Sequence, residues 1–251
     1  MPKFFINQEQ VNEDKINIVG QDVKHIKNVL REKIGNELTV CNISNQKDYL
    51  CEIQEIKEEY IQCKIKKELE NNVESNIKVT IMQGLPKADK MELIIQKSVE
   101  LGVYEITPIE MKRCVVKLNE KDKQKKVQRW QKISEVAAKQ SGRNIIPKIN
   151  SIINLKNICN LVKEYDIVLI AYENEEKATI KKELKKIKEE INNDKEIKIA
   201  VIVGPEGGIS QEEIELLQKA GAKSITLGKR ILRTETVALN VLSVIMYELE
   251  N

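Results

Sequence analysis

The chain has 251 residues, 41% of them hydrophobic, 32% charged and only 4% aromatic. That apolar fraction excludes wholesale disorder, and the length fits one large domain or two smaller ones. Lys+Arg 42 against Asp+Glu 39 leaves +3, so net charge alone singles out no nucleic-acid partner. No stretch approaches the ~18 uncharged apolar residues of a membrane helix. The start, Met1-Pro2-Lys3-Phe4-Phe5, turns polar by Asn7 and Glu9 and does not read as a signal peptide. The five cysteines (Cys41, Cys51, Cys63, Cys114, Cys159) form no C-x-x-C pair, and His25 is the single histidine. The expectation is therefore no metal site and no membrane, but reduced thiols in a cytoplasmic protein. No nucleophile signature lies near His25, which argues against a Ser-His-Asp or Cys-His mechanism.

In chain order, residues 1–72 read as a small β domain. Leu38–Ile43, Tyr49–Ile53 and Tyr60–Ile65 are short and rich in β-formers, the later two alternating apolar with polar. This predicts a small antiparallel barrel or sandwich. A helical patch interrupts it at Val23, Ile26, Val29 and Leu30. The polar stretch 70–76 marks a boundary, and a second domain runs from 77 to 251. There, strands at 77–82, 105–109, 166–171 and 197–203 alternate with helices at 89–101 and 121–140. A charged helix carries the stripe Ile180, Leu184, Ile187 and Ile191. Strands alternating with helices imply a mainly parallel α/β sheet.

Three features carry chemistry. The first is Gly204-Pro205-Glu206-Gly207-Gly208-Ile209-Ser210, between a buried strand and a helix whose start, Ser210 with Glu213, forms a capping box. Such a loop either lets a ligand approach backbone N–H groups or is an ordinary tight turn. It is neither a P-loop nor G-x-G-x-x-G. The second is Leu227–Thr236, where a strand ends in Gly228 and Arg230, Arg233 and Glu235 follow. These three make either a site or a salt bridge at a helix start. The next helix, 237–247, carries no charge and reads as buried on every face, inside the domain or against a second copy. The third is residues 111–143, with eleven Lys/Arg against three acids, net +8. This suits a phosphate backbone or is a solvated face, and its Trp130 either stacks or packs.

Together these segments resemble the bacterial 16S ribosomal RNA uridine-N3 methyltransferases, the RsmE family of the SPOUT superfamily. The resemblance spans nearly the whole chain. It rests on His25–Arg31 with Gly35, on Pro86-Lys87, Lys90, Gln96-Lys97 and Glu100–Val103, and on Arg113, Arg129-Trp130, Ile133 and Ala138–Arg143. The Gly204–Gly208 loop and the Leu227–Thr236 segment complete it. Val237 stands where the family leads us to expect alanine.

The resemblance implies a PUA-like β-barrel RNA-binding domain over 1–72. Over 77–251 it implies a SPOUT-type trefoil-knotted parallel α/β domain that dimerises and binds S-adenosyl-L-methionine. It implies cofactor contacts at Gly204, Glu206, Gly207, Leu227, Gly228, Ile231, Leu232 and Thr234. Arg233 would favour the N3 anion or orient the uracil, while Glu206 and Glu235 compete as proton acceptor or loop brace. His25, Arg31, Lys87, Lys90, Lys97, Arg113, Arg129, Gln140 and Arg143 would contact 16S rRNA, free or in the assembled small subunit. Rival readings are a non-catalytic RNA-binding assembly factor and a SPOUT enzyme with another RNA target.

Overall fold

The computed structural model describes residues 3–70, 73–190 and 196–250. It divides into two compact units, Met1–Glu74 with Ala138–Ile146, and Ser75–Ala137 with Pro147–Asn251.

The first unit is built on β1 (Lys3–Ile6), β2 (Val11–Asn12), β3 (Lys15–Val19), α1 (Gln21–Lys24), β4 (Glu37–Asn42), β5 (Lys47–Ile56) and β6 (Tyr60–Leu69). They form one six-stranded sheet in the order β1-β4-β5-β6-β3-β2, antiparallel except for the β1–β4 pair. Alternation places Leu38, Val40, Cys51, Ile53, Ile61 and Cys63 in one core with Phe4, Ile6, Ile16 and Ile18. The helical patch is α1 followed by a π-helical turn, His25–Leu30. Val23 and Ile26 are buried, but Val29 is 66% exposed. The extra residue per turn rotates Val29 off the face that a 3.6-residue period assigns it.

Residues 138–146, which the sequence reading placed in the second domain, belong to this unit. A buried polar network holds them. The Lys3 ammonium pairs with Asp48 at 2.7 Å and donates to the Gly142 carbonyl. Arg143 pairs with Glu74, both nearly sealed from solvent, and the Asn144 N–H donates to Glu74 at 2.8 Å. Burial pushes the Glu74 carboxyl up, but Arg143 and two backbone N–H groups outweigh it and hold the pKa below the ordinary 4.5. Removing one partner of a buried pair strands the other charge, so Glu74→Gln should cost about 3–5 kcal/mol. Because the folded pKa is depressed, this stability is complete above the ordinary carboxylate pKa. It is lost as pH falls through the depressed folded value. Thermal melts of both proteins from neutral pH down to about pH 3 read this as a gap that narrows on acidification.

The second unit contains β7 (Ile77–Gly84), α2 (Lys90–Glu100), β8 (Glu105–Glu110), α3 (Glu120–Gln140), β9 (Lys148–Ile149), β10 (Ile153–Asn154) and α4 (Leu155–Leu161). It continues with β11 (Ile167–Ala171), α5 (Ile180–Glu190), β12 (Ile197–Val203), α6 (Gln211–Lys219), β13 (Lys223–Ile225) and α7 (Thr234–Leu249). All pairings are parallel, in the order β10-β8-β7-β12-β11-β13, with β9 beside β8. The apolar runs of β11 and β12 are central strands, covered on both faces as expected. Of the α5 stripe, Leu184 and Ile187 are buried, while Ile191 lies outside the described residues.

The last helix departs from expectation. It packs on α2, α5, β7 and β12, and Ala238, Val241, Leu242 and Ile245 are fully buried. Thr236, Asn240 and Ser243 form an exposed line along its other side. Being uncharged is therefore not being apolar all round: small polar residues at helical spacing supply a solvent face.

Candidate active site

The chain enters β12 as Ile197-Lys198-Ile199-Ala200-Val201-Ile202-Val203 and leaves it through Gly204 at the carboxyl end of the sheet, where open α/β folds bind ligands. A Cβ at Gly204 would lie 2.8 Å from Ile209 Cγ1 and 3.1 Å from the Gly208 carbonyl carbon. Only glycine lets the loop fold back that tightly. Ser210 then caps α6 in the predicted capping box, its side chain accepting from the Glu213 N–H. Opposite, the chain after β13 turns at Gly228, whose φ of +120° is open to glycine but strained for other residues.

These two bends enclose a cleft of about 380 Å³, within the ~300–1,000 Å³ of small-molecule sites. Leu227, Gly228, Ile231, Leu232 and Val237 form much of one wall, and Gly204, Pro205, Glu206 and Ile209 much of the other. Tyr172 and Glu173, just past β11, close a third side. The Thr234 hydroxyl joins the two bends by donating to the Gly204 carbonyl at 2.6 Å and accepting from Gln83 Nε2 at 2.9 Å. Gln83, fully buried at the end of β7, is thus a clamp below the cleft.

A three-member charge network sits at one end. The Lys90 ammonium lies 3.2 Å from Glu206 and 3.0 Å from Glu235. Glu206 also accepts from the Lys87 N–H at 3.0 Å. Burial raises the pKa of both carboxyls, but their own backbone N–H groups and Lys90 outweigh it and leave both below the ordinary 4.5. Lys90 is correspondingly raised, chiefly by its bond to Glu235. All three groups stay charged at neutral pH. Arg233, at the N-cap of α7, reaches the cleft with no salt bridge among the described residues.

Comparison with known proteins decides what this cleft belongs to. Residues 73–246 match an RNA methyltransferase domain, and residues 18–66 an RNA methyltransferase PUA domain. The ribosomal RNA small subunit methyltransferase E of Bacillus subtilis is 35% identical over 100% of this chain and 98% of its own length. That of Mesomycoplasma hyopneumoniae is 37% identical over 97% of this chain and 98% of its own. The chain belongs to the ribosomal RNA small subunit methyltransferase E family.

Two solved structures carry the cofactor in related folds. A Legionella pneumophila protein in complex with bound SAM superposes with a TM-score of 0.82 at 32% identity, covering 98% of this chain and 96% of that one. The Neisseria gonorrhoeae family member bound to S-adenosyl methionine gives 0.81 at 28% identity, covering 98% and 97%.

Within this methyltransferase, the cleft gathers Gly204, Glu206, Leu227, Gly228, Ile231, Leu232, Arg233 and Thr234 from the sequence-derived set. Gly207 and Glu235 stand just behind the wall. The Gly207 carbonyl accepts from Arg113 Nη1 at 3.0 Å, so Arg113 braces the loop. Lys90, expected on RNA, lines the cleft and pairs with Glu206 and Glu235. Tyr172, Glu173 and Gln83 were missed, although their places just beyond or at the carboxyl ends of two apolar strands could have named them.

The expected RNA contacts are scattered. His25, Arg31, Lys87 and Gln140 are exposed, and His25 also meets the Phe4 ring edge-on, with centroids 6.2 Å apart. Lys97 pairs with Glu100 at 2.8 Å, and Arg129 with Glu92 at 2.8 Å. Arg143 is corrected outright: 6% exposed and spent on Glu74, it is a structural cation. Trp130 packs, 4% exposed, with the Lys126 ammonium 5.8 Å from its ring centroid. Among the described residues no group of three or more His, Cys, Asp or Glu could hold a metal ion, and no helix is long and apolar enough to cross a membrane. The five cysteines are free thiols, and burial pushes Cys41, Cys51 and Cys63 up to about 12.

Proposed function

We propose that this methyltransferase uses S-adenosyl-L-methionine to methylate N3 of one uridine in 16S rRNA. The observation that carries the reading is the cleft closed by the Gly204 and Gly228 bends, in a chain related over its full length to small-subunit rRNA methyltransferases. The cofactor fits this chain's own residues. The cleft has the right volume, mixes apolar and polar walls, and keeps open space where a side chain at Gly228 would otherwise stand. Residues 204–209 and 227–234 would hold it. When bound, it supplies an electrophilic sulfonium methyl.

The protein's own contribution is alignment and charge. The rigid walls orient the reacting partners, which supplies much of the rate in such transfers. Arg233, a cleft cation with no salt bridge among the described residues, favours the uracil N3 anion. Glu206 and Glu235 are held below the carboxylate range by Lys90 and backbone N–H groups, so they are poor acceptors for a weakly acidic N3–H. Their role is to brace the two bends through Lys90. The N3 proton then passes to solvent, and turnover rises with pH as uridine ionises.

The same reading takes residues 197–208 and 223–236 as the loops of a trefoil knot. It is supported by the Thr234 hydroxyl, which ties the second segment onto the carbonyl that ends the first. It places the enzyme in the cytoplasm as a homodimer. Ile231, 85% exposed on the cleft rim, and Tyr247, 75% exposed on α7, are the apolar surfaces a second copy would cover. The domain limits are taken as 1–72 and 77–251, except that residues 138–146 belong to the first unit. The test is nucleoside mass spectrometry of unmodified small subunits incubated with the enzyme and methyl-labelled cofactor. Labelled 3-methyluridine is expected. A labelled ribose, another labelled base or no label contradicts the target.

A further inference from the structure

A second run of free positive charge lies outside the basic segment 111–143. Along α3, Lys123 is held by Glu110 and Glu120, Arg129 by Glu92, and Lys126 lies over Trp130, which leaves Lys121, Lys125 and Lys132 exposed with no salt bridge among the described residues. By contrast, α5 buries its only acid near the start, Glu183, which faces Lys186 at 2.7 Å and Lys223 at 3.8 Å. Lys181, Lys182 and Lys185 stand exposed on its outer side with no salt bridge among the described residues.

Two rules of helix stability are broken there. Lys181 and Lys185, like Lys182 and Lys186, are like-charge pairs at i, i+4, an arrangement that destabilises a helix in water. Lys181 and Lys182 also lie in the first turn, where the positive end of the helix dipole disfavours cations. Local rules broken without structural gain mark a functional surface, and a polyanion lying on this face would relieve both penalties.

The face is also tied to the cleft. The Thr226 N–H donates to the Ala178 carbonyl at 2.8 Å and the Ile180 N–H to the Thr226 carbonyl at 3.2 Å, which pins the start of α5 to a residue of the cleft wall. Beyond Thr226 the rim carries Lys229 and Arg230, both exposed.

We propose that the outer face of α5, with Lys229 and Arg230 on the rim, is a track for the RNA phosphate backbone flanking the base delivered to the cleft. The inference rests on the RNA-methyltransferase reading above and adds a second anchoring surface to it. Its occupant is RNA, recognised by charge alone, so it contributes affinity and register without base specificity.

The test is the triple variant Lys181→Glu/Lys182→Glu/Lys185→Glu, with Lys→Gln at the same positions as the milder form. Acidic residues in the first turn suit the helix dipole, so the melting temperature should hold or rise. Binding to small-subunit rRNA is measured from low to physiological salt, together with steady-state methyl transfer and cofactor titration. The expected result is a KM for RNA raised about tenfold or more, with kcat and cofactor affinity unchanged. The slope of log affinity against log salt should be shallower by about two to three, as roughly 0.7–0.9 per lost phosphate contact requires. The Lys→Gln form should give a smaller shift in the same direction. A folded variant with unchanged KM and slope overturns the proposal. So does a defect seen on assembled subunits but absent on protein-free rRNA, which would put a ribosomal protein on this face. Wild-type enzyme inactive on every RNA would defeat the parent reading instead, which keeps the two failures distinct.

Discussion

Gly204→Ala should abolish most cofactor binding while leaving the fold in place. The added methyl would sit 2.8 Å from Ile209 Cγ1, closer than real Cβ contacts come, and 3.1 Å from the Gly208 carbonyl carbon, tighter than most of them. Relief requires the loop after β12 to open, and overpacking of this kind costs about 1–3 kcal/mol. Residues 204–209 form one wall of the cleft, so that displacement falls on the ligand. It corresponds to a loss of about 5- to 150-fold in affinity. Calorimetric titration with S-adenosyl-L-methionine measures it, with a thermal melt as the control for folding. Undiminished affinity in a folded variant would mean that the wall at Gly204 does not touch the ligand.

The second large effect is expected at Arg233. It is exposed at the start of α7, lines the cleft and makes no salt bridge among the described residues. A cation held for charge that develops during reaction contributes about 10²–10³ to kcat. Arg233→Ala should therefore lose that factor in kcat and keep cofactor affinity within about tenfold. Because Glu206 and Glu235 remain ionised near neutrality, the residual rate should climb with pH. Arg233→Lys should recover part of it, since a point charge replaces the planar fork but not its geometry. Equal losses in kcat and cofactor affinity would instead assign Arg233 to the binding wall.

Much of this was legible in the sequence. Continuous apolar runs named β11 and β12 because strands covered on both faces need no alternation. The Ser210–Glu213 capping box fixed the start of α6, and so the end of the Gly204 loop. What escaped was whatever depends on residues distant in the chain. Lys90 reads as one more surface lysine until Glu206 and Glu235 are brought within 3.2 Å. Arg143 belongs to a basic block by count and to a buried ion pair by position. Counting charge along 111–143 cannot see that Lys123, Arg129 and Arg143 meet their acids elsewhere. The lysines of α5 were passed over for the opposite reason, since Glu183 offsets them in composition but turns inward in space. Likewise α7 looked apolar on every side because its polar residues are small and uncharged, and only the 3.6-residue geometry gathers them on one line.

The central claim is that the bends at Gly204 and Gly228 form the pocket for a methyl-donating cofactor. A crystal structure of the full chain soaked with S-adenosyl-L-methionine tests it most directly. Density for the cofactor is expected between residues 204–209 and 227–232, with the Thr234–Gly204 hydrogen bond intact beneath it. Cofactor bound elsewhere, or a cleft that stays empty at saturating concentration, would contradict it.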